Sequence, residues 1–332
     1  MSYATLHSLP LKLKPLFVGQ LSTIDALRES AYAYINGKFE EVIRPNETIT
    51  NEFIREYASN TSKEIFVSLE DFDEINNFIN SELLKITRSL SIGDPLKNST
   101  RHVNFLSLQM SNLYQDPFND ELLSNQFQST KNLSSLLLKN KGLTKDLYKN
   151  VLKQGHHYTI AQPLLSSIML LGFLQSIGLF SEKEIQTLFL TSYFKDIGMS
   201  FIPREKFELA HLTEFDKKIF SEHAENSMKI LNGRVPLSQS QLEIIKNHHF
   251  LNYKIQKLVM KQTTMDKDEL IHGVESTFLS ALDILVAMTN ERPYRDAVSM
   301  FQALELLKKV LSDEYPQEFR NLVNFLRQFF SK

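Results

Sequence analysis

The 332-residue chain contains no cysteine. Disulfides, cysteine nucleophiles and thiolate metal sites are therefore excluded, and the composition suits a reducing cytoplasm. Tryptophan is absent as well, whereas phenylalanine occurs 24 times, so Phe and Leu are expected to fill the core. Neither charge sign is in excess, with a net charge of −2. A nucleic-acid ligand usually requires a basic face, and this balance argues against one. The start, Met1-Ser2-Tyr3-Ala4-Thr5, lacks the basic residues and compact apolar run of a signal peptide. The chain carries no phosphate-binding glycine loop, no nucleophile elbow, no helix-borne zinc-protease motif and no internal repeat.

Apolar residues make up 42% of the chain, enough to bury a sizeable core, and the length allows two domains or one large one. Residues 1–81 predict a small α/β domain. Two apolar runs flank Asn36-Gly37, a pair suited to a tight hairpin turn. Thr50 is placed to cap a helix running to Asn60, and Glu64–Leu69 has the pattern of a buried strand ended by Glu70-Asp71. From about Phe72 the apolar residues Ile75, Phe78, Ile79, Leu83 and Leu84 recur at helical steps. Ser89–Thr100 has loop composition, and residues 82–140 form a helical linker region. Further helices are expected at about 102–116, 119–140, 144–154, 163–178, 182–194, 214–232, 239–249, 269–289, 297–311 and 317–330. The fold class is thus α+β, with a small N-terminal α/β domain followed by a mostly helical bundle over 141–332. The stripe Leu304, Leu307, Leu311, Phe319, Leu322 and Phe325 is expected in the core, with part of that surface suited to a homodimer. Tyr158–Ser181 carries no charge and is long enough to span a bilayer, but Gln162, Pro163, Ser166, Ser167, Gln175 and Ser176 interrupt it. These interruptions weigh against a span, and no membrane contact is expected.

The chemistry concentrates in Asp196, His223, His248-His249 and Asp283. Neutral imidazoles and carboxylates are the ligands that iron, manganese or zinc accept, and several helices could converge them on one point. Each residue alone is more simply a solvated or paired side chain; it is their order, spacing and flanks that carry the signal. His156-His157 is placed at a loop or helix end on the surface.

That order resembles the HD-GYP family, metal-dependent phosphodiesterases of the bacterial messenger cyclic di-GMP within the HD superfamily. The resemblance runs from Tyr158 to the C-terminus. It rests on Tyr158-Thr159-Ile160-Ala161-Gln162, Lys195-Asp196, His223, His248-His249, Asp283 and Ala287-Met288-Thr289 with Arg292-Pro293-Tyr294-Arg295. The departures fall on the chemistry. Gln162 stands at the place of a first histidine ligand, Lys195 at the histidine of the His-Asp pair, and Met199 at a lysine. Phe250 stands at a glutamate, and Leu251-Asn252-Tyr253-Lys254 replaces the Gly-Tyr-Pro element. The resemblance implies two metal positions, one on Gln162, Lys195, Asp196 and Asp283, the other on Asp196, His223, His248 and His249. Two of the first four have changed, and the Lys195 ammonium offers donors only. Lys195 is therefore expected to pair with Asp196, Asp283 or both. Two arrangements stay open for the second position: one divalent ion, or a hydrogen-bonded polar cluster.

No catalytic residue is then expected, with Gln162, Lys195 and Met199 vestigial. The resemblance implies a cytoplasmic signalling protein working through a partner protein or a nucleotide such as cyclic di-GMP, and the changed residues imply that its phosphodiesterase activity is lost. The alternative is a phosphodiesterase or other phosphohydrolase with a reduced metal site. At most one divalent metal is expected as cofactor.

Overall fold

The computed structural model describes residues 13–35, 37–60, 64–259 and 273–331. Its N-terminal part is a four-stranded antiparallel sheet of β1 (Lys14–Phe17), β2 (Ala31–Ile35), β3 (Lys38–Ile43) and β4 (Glu64–Val67), in the order β1-β4-β2-β3. β2 and β3 form the expected hairpin, with Ile35 opposite Lys38 and Gly37 at φ +85°; Asn36 lies outside the described residues. Alternation places Leu16, Ala31, Ala33, Ile65 and Val67 on the buried side, continuous with the helical core. Helix α1 (Asn51–Asn60) follows β3, its first turn capped by Thr50 Oγ1, which accepts from Phe53 N at 3.1 Å.

Strand β4 stops at Val67, two residues short of the expected end. Ser68 accepts from Asp71 N at 3.1 Å and starts α2 (Leu69–Ser89), while buried Asp71 takes the backbone N–H groups of Arg28 and Glu29. Its carboxylate thus fastens the β1–β2 connection onto the helix. The loop expected over Ser89–Thr100 is also shorter. Asp94 caps Leu96 and Lys97, and Pro95 occupies the first helical position, so α3 (Pro95–Gln115) begins where the composition suggested a linker.

Helices α4 (Asp120–Lys139), α5 (Leu143–Lys153), α6 (Tyr158–Ile177) and α7 (Glu182–Phe194) complete the first half of the bundle. α6 packs against α7, α5, α12 (Val274–Thr289) and α3. It is apolar and long enough to cross a membrane, yet 67% of its most apolar window is buried inside the fold, as a core helix requires. It starts five residues earlier than expected, with Pro163 inside it. Proline lacks the N–H that would reach the carbonyl four residues back. That carbonyl, Thr159 O, instead lies 3.1 Å from the Tyr114 hydroxyl on α3.

After α7 come two short 3-10 segments, Ile197–Phe201 and Arg204–Glu208, then α8 (Glu214–Ser221), α9 (His223–Leu231), α10 (Gln239–Lys246) and α11 (Phe250–Val259). The single helices expected over 214–232 and 239–249 are thus each interrupted, the first at Glu222 and the second by a turn over 247–249. Both interruptions carry site histidines. α12 begins at Val274; the first four residues of the helix expected over 269–289, residues 269–272, lie outside the described residues. α13 (Met300–Leu311) and α14 (Pro316–Phe330) close the bundle, with Leu307, Leu311, Leu322 and Phe325 buried and Leu304 and Phe319 packed against them.

Candidate metal centre

The centre is assembled where α7 ends. Asp196 follows the last turn of α7 and opens the 3-10 turn Ile197–Phe201. Gly198 lets that turn lie directly on α9: a Cβ there would stand 2.1 Å from His223 O and 2.5 Å from Ser227 N, while Gly198 N donates to Ser227 Oγ at 2.8 Å. A backbone-to-backbone approach of this kind requires glycine. Tyr114 secures the other side, its buried hydroxyl 3.1 Å from both Thr159 O and Asp196 O. Asp196 is therefore fixed between α3, α6 and α9.

His223 begins α9 at the break after α8, with Nδ1 2.5 Å from Phe220 O. His248 lies in the turn between α10 and α11, with Nδ1 2.6 Å from Ile245 O, and Ser280 on α12 donates to the His248 carbonyl at 2.5 Å. A carbonyl only accepts, so in both rings Nδ1 carries the proton and Nε2 is turned inward with its lone pair. Both Nε2 atoms are 3.2 Å from Asp196 Oδ1 and 3.3 Å from each other; His249 Nε2 is 3.2 Å from that of His223. His249 is oriented by Asn252, whose side-chain amide lies 2.9 Å from Nδ1. Burial, reinforced by the two neighbouring imidazoles, holds the His249 pKa well below the usual histidine value.

This set fits a cation. Bonds of about 2.0–2.2 Å to a shared ion place adjacent donor atoms about 3.0–3.4 Å apart, the spacing observed here. Inward lone pairs facing a carboxylate are otherwise repulsive unless protons are shared among them. The three histidines form a cluster able to hold a metal, and Asp196 adds an oxygen.

The other side of Asp196 is different. Lys195 is completely buried and ion-pairs with Asp196 and, at 2.9 Å, with Asp283 Oδ1. Burial alone would push its pKa down, but the two carboxylates outweigh burial and raise it above the ordinary lysine value. Burial likewise opposes ionisation of Asp196, yet the Lys195 ammonium beside it holds that carboxyl well below its usual range. The ammonium is thus charged and sits between the two carboxylates, as the sequence led one to expect. Gln162 Nε2 donates to Asp283 Oδ1 at 2.8 Å, while its Oε1 accepts from Arg292. The one Gln162 atom able to ligate a metal is therefore already engaged. Donors from Lys195, Gln162 and Arg292 occupy the first position, which does not fit a metal ion.

Arg292 carried no role in the sequence reading beyond its place in a motif. It donates to Tyr294 Oη at 2.7 Å and lies 5.0 Å over the Tyr158 ring, in a tight turn closed by two 3.0 Å backbone bonds between Arg292 and Arg295. Asn252, Ser280, Tyr114 and Gly198 were also missed. The partners of Ser280, Tyr114 and Gly198 lie far away in the chain, so no local pattern marks them, whereas Asn252 has its partner, the His249 side chain, only three residues away. Met199 is buried and lines a cleft of about 470 Å³ that opens onto Asp196, His223 and His249, with Tyr158, Phe220, Tyr294, Lys217, Arg292 and Arg295 around it.

His157 corrects the surface placement. It is buried, caps α6 by accepting from Thr159 N, stacks on Phe17 at 5.4 Å and meets Glu208 at 2.9 Å through Nε2. The helix-end position was legible; the cover supplied by Phe17, 140 residues earlier, was not.

No protein-family model and no curated protein matches the chain. Among solved structures it is similar to Bd1817, a HDG"Y"P protein from Bdellovibrio bacteriovorus, with a TM-score of 0.62 and 12% sequence identity, over 95% of this chain and 99% of that one. At so low an identity it is the arrangement of elements that is shared: the chain has the fold of an HD-GYP-like protein.

Proposed function

We propose that this chain is a bacterial cytoplasmic signalling protein that has lost phosphodiesterase activity and works by binding a nucleotide or a partner protein in a pathway related to cyclic di-GMP. The observation that carries this reading is the Lys195 ammonium, buried between Asp196 and Asp283 where a first metal would be held. A metal at the remaining position would polarise a phosphate and lower the pKa of a bound water. With the other position held by an ammonium, the two-ion clamp on attacking and leaving oxygens cannot be formed. Met199 supplies no charge to a phosphate, and Leu251–Lys254 belong to a regular helix. The cleft retains what binding needs: the cations Arg292, Arg295 and Lys217 for anionic oxygens, and the rings of Tyr158, Phe220 and Tyr294 for stacking.

Calorimetry with cyclic di-GMP, beside a turnover assay in manganese and in iron, tests it. The expected result is no turnover; binding in calorimetry marks a nucleotide receptor, and its absence a receptor for protein. Steady turnover that disappears in His223→Ala overturns the reading. It would favour the alternative, a phosphohydrolase with one metal, whose support is the 3.2–3.3 Å spacing of Asp196 Oδ1 and the imidazole nitrogens.

A further inference from the structure

The end of β1 meets the same helix turn that holds Asp196. Gln20 lies in the 3-10 turn Val18–Thr23 after β1 and is completely buried; Asn112, in the last turn of α3, is buried too. Gln20 Oε1 accepts from Phe17 N at 3.0 Å, and its Nε2 donates to Asn112 Oδ1 at 2.8 Å. From that last turn Gln115 Nε2 also donates to Pro15 O on β1, at 3.0 Å. Between these two anchors stands Tyr114, whose hydroxyl lies 3.1 Å from both Asp196 O and Thr159 O. One turn of α3 is thus bonded to the N-terminal segment and to the backbone of the metal centre.

Two further contacts tie the same strand to elements around Asp196. Phe17 stacks on His157, the cap of α6, with ring centres 5.4 Å apart. Arg204, on the 3-10 segment beyond Asp196, lies 4.6 Å over the Phe17 ring and pairs with Glu64 on β4 at 3.0 Å. The amide pair matters most, because it is dry. A buried amide cannot exchange its partner for water without cost, so the Gln20–Asn112 bond fixes the register between the N-terminal turn and α3. Close-packed interiors pass such a constraint on rather than absorb it. Metal sites tolerate changes of only about 0.2 Å in ligand distance, so a small shift of Tyr114 is enough to disturb Asp196.

From this geometry we infer that Gln20 is a positioning residue of the metal centre: through Asn112 and Tyr114, the N-terminal sheet sets where Asp196 stands against His223 and His248. The inference rests on the reading of that cluster as the functional site. It makes the N-terminal part the input side of the site. Whatever shifts the end of β1 against α3 acts on the Asp196–histidine spacing without touching a ligand.

The test compares Gln20→Leu, which keeps the size and removes both hydrogen bonds, with Ile43→Ala. Ile43 is buried on β3, at the opposite edge of the sheet from β1, so its truncation loosens the N-terminal part away from α3. In the metal-free full chain, heteronuclear NMR should show the Gly198 and His223 amide signals moving in Gln20→Leu and in Tyr114→Phe, and staying in place in Ile43→Ala. Cobalt(II) titration followed by visible absorption should show affinity weakened about tenfold in Gln20→Leu and in Tyr114→Phe, as for residues that orient a metal ligand. The double variant should lose little more than either single one, because both act along one path. Asn112→Ala removes the same bond from the α3 side and replaces Gln20→Leu should that variant not fold. The inference is overturned if the Gly198 and His223 signals stay in place when the amide pair is broken, or if Ile43→Ala moves them as far. Losses of affinity that multiply in the double variant would equally refute it. A wild-type chain that binds no cobalt would refute the metal reading alone, and the NMR comparison would still decide the inference.

Discussion

At the scale of single residues, the position of Lys195 sets the character of the site. It is a charged group with no access to solvent, held by two carboxylates that would otherwise repel each other. Breaking such a buried arrangement from one side costs about 3–5 kcal/mol, because it strands charge. Lys195→Met should therefore lower stability by about that amount in urea denaturation of the metal-free protein. Added manganese or zinc should recover part of the loss by taking the vacated place between Asp196 and Asp283. A midpoint unchanged from wild type would mean that the ammonium contributes nothing to the fold. The complementary change restores ligands. Wild type is expected to bind at most one equivalent of divalent metal, whereas Gln162→His with Lys195→His should raise this towards two, measured by elemental analysis after dialysis against the metal. Lys195 was legible in the sequence because its partner Asp196 is its neighbour and its charge is wrong for a ligand. Arg292 was not, because its contact with Gln162 spans 130 residues and nothing local announces it.

Among the elements, the informative features are interruptions. Periodicity called for one helix over 214–232, and the apolar spacing does continue across it, but the chain breaks at Glu222 so that His223 Nδ1 can reach Phe220 O. The pattern of apolar residues records which face is buried; it does not record a one-residue stop that preserves the same face. The turn carrying His248-His249 was hidden for the same reason. Gly198 belongs at this scale too, since it brings the 3-10 turn after Asp196 into contact with α9. Gly198→Ala should push the two apart, costing about 1–3 kcal/mol as overpacking does, and should separate Asp196 from His223. Differential scanning calorimetry should show a lower Tm, and cobalt(II) titration followed by visible absorption should show weaker, altered coordination. An alanine variant with native Tm and native cobalt spectrum would contradict the close approach. By contrast, α4, α7, α13 and α14 follow their sequence patterns to within a few residues, because long amphipathic runs with capping residues such as Ser181 and Ser299 leave little choice.

For the molecule as a whole, buried histidines tie stability to pH. His102 is completely buried, and burial lowers its pKa to about 3; His156 is lowered to about 4, and His249 is also depressed. In the unfolded chain these groups take up protons below about pH 6.5, whereas in the folded protein they do not until far lower. The unfolded state therefore binds more protons in that window, so stability falls as pH drops from about 6.5 towards 4. At pH 5 His102 alone should account for about 2 kcal/mol. Denaturation at pH 7.5 and pH 5 should show the decline, and His102→Gln should make it shallower. A flat profile between those values would show that these rings are hydrated in solution. The two-part architecture was legible at this scale from the change of period near Phe72. The way the parts meet was not: Arg204 on the 3-10 segment pairs with Glu64 on β4 at 3.0 Å and covers the Phe17 ring at 4.6 Å, contacts between segments about 140 and 190 residues apart.

The ammonium between Asp196 and Asp283 has a consequence for supply. A metal position must be filled from outside, and a chelator, a competing ion or an oxidant can empty or alter it. Lys195 arrives with the polypeptide itself, cannot be exchanged, and has one oxidation state. Half of the centre is thus complete as soon as the chain folds, whatever the cell's stock of iron or manganese, and a redox-active pair of ions has nowhere to assemble. On the proposed function, readiness to bind is in this respect inherited from translation, and a cell short of metal keeps it.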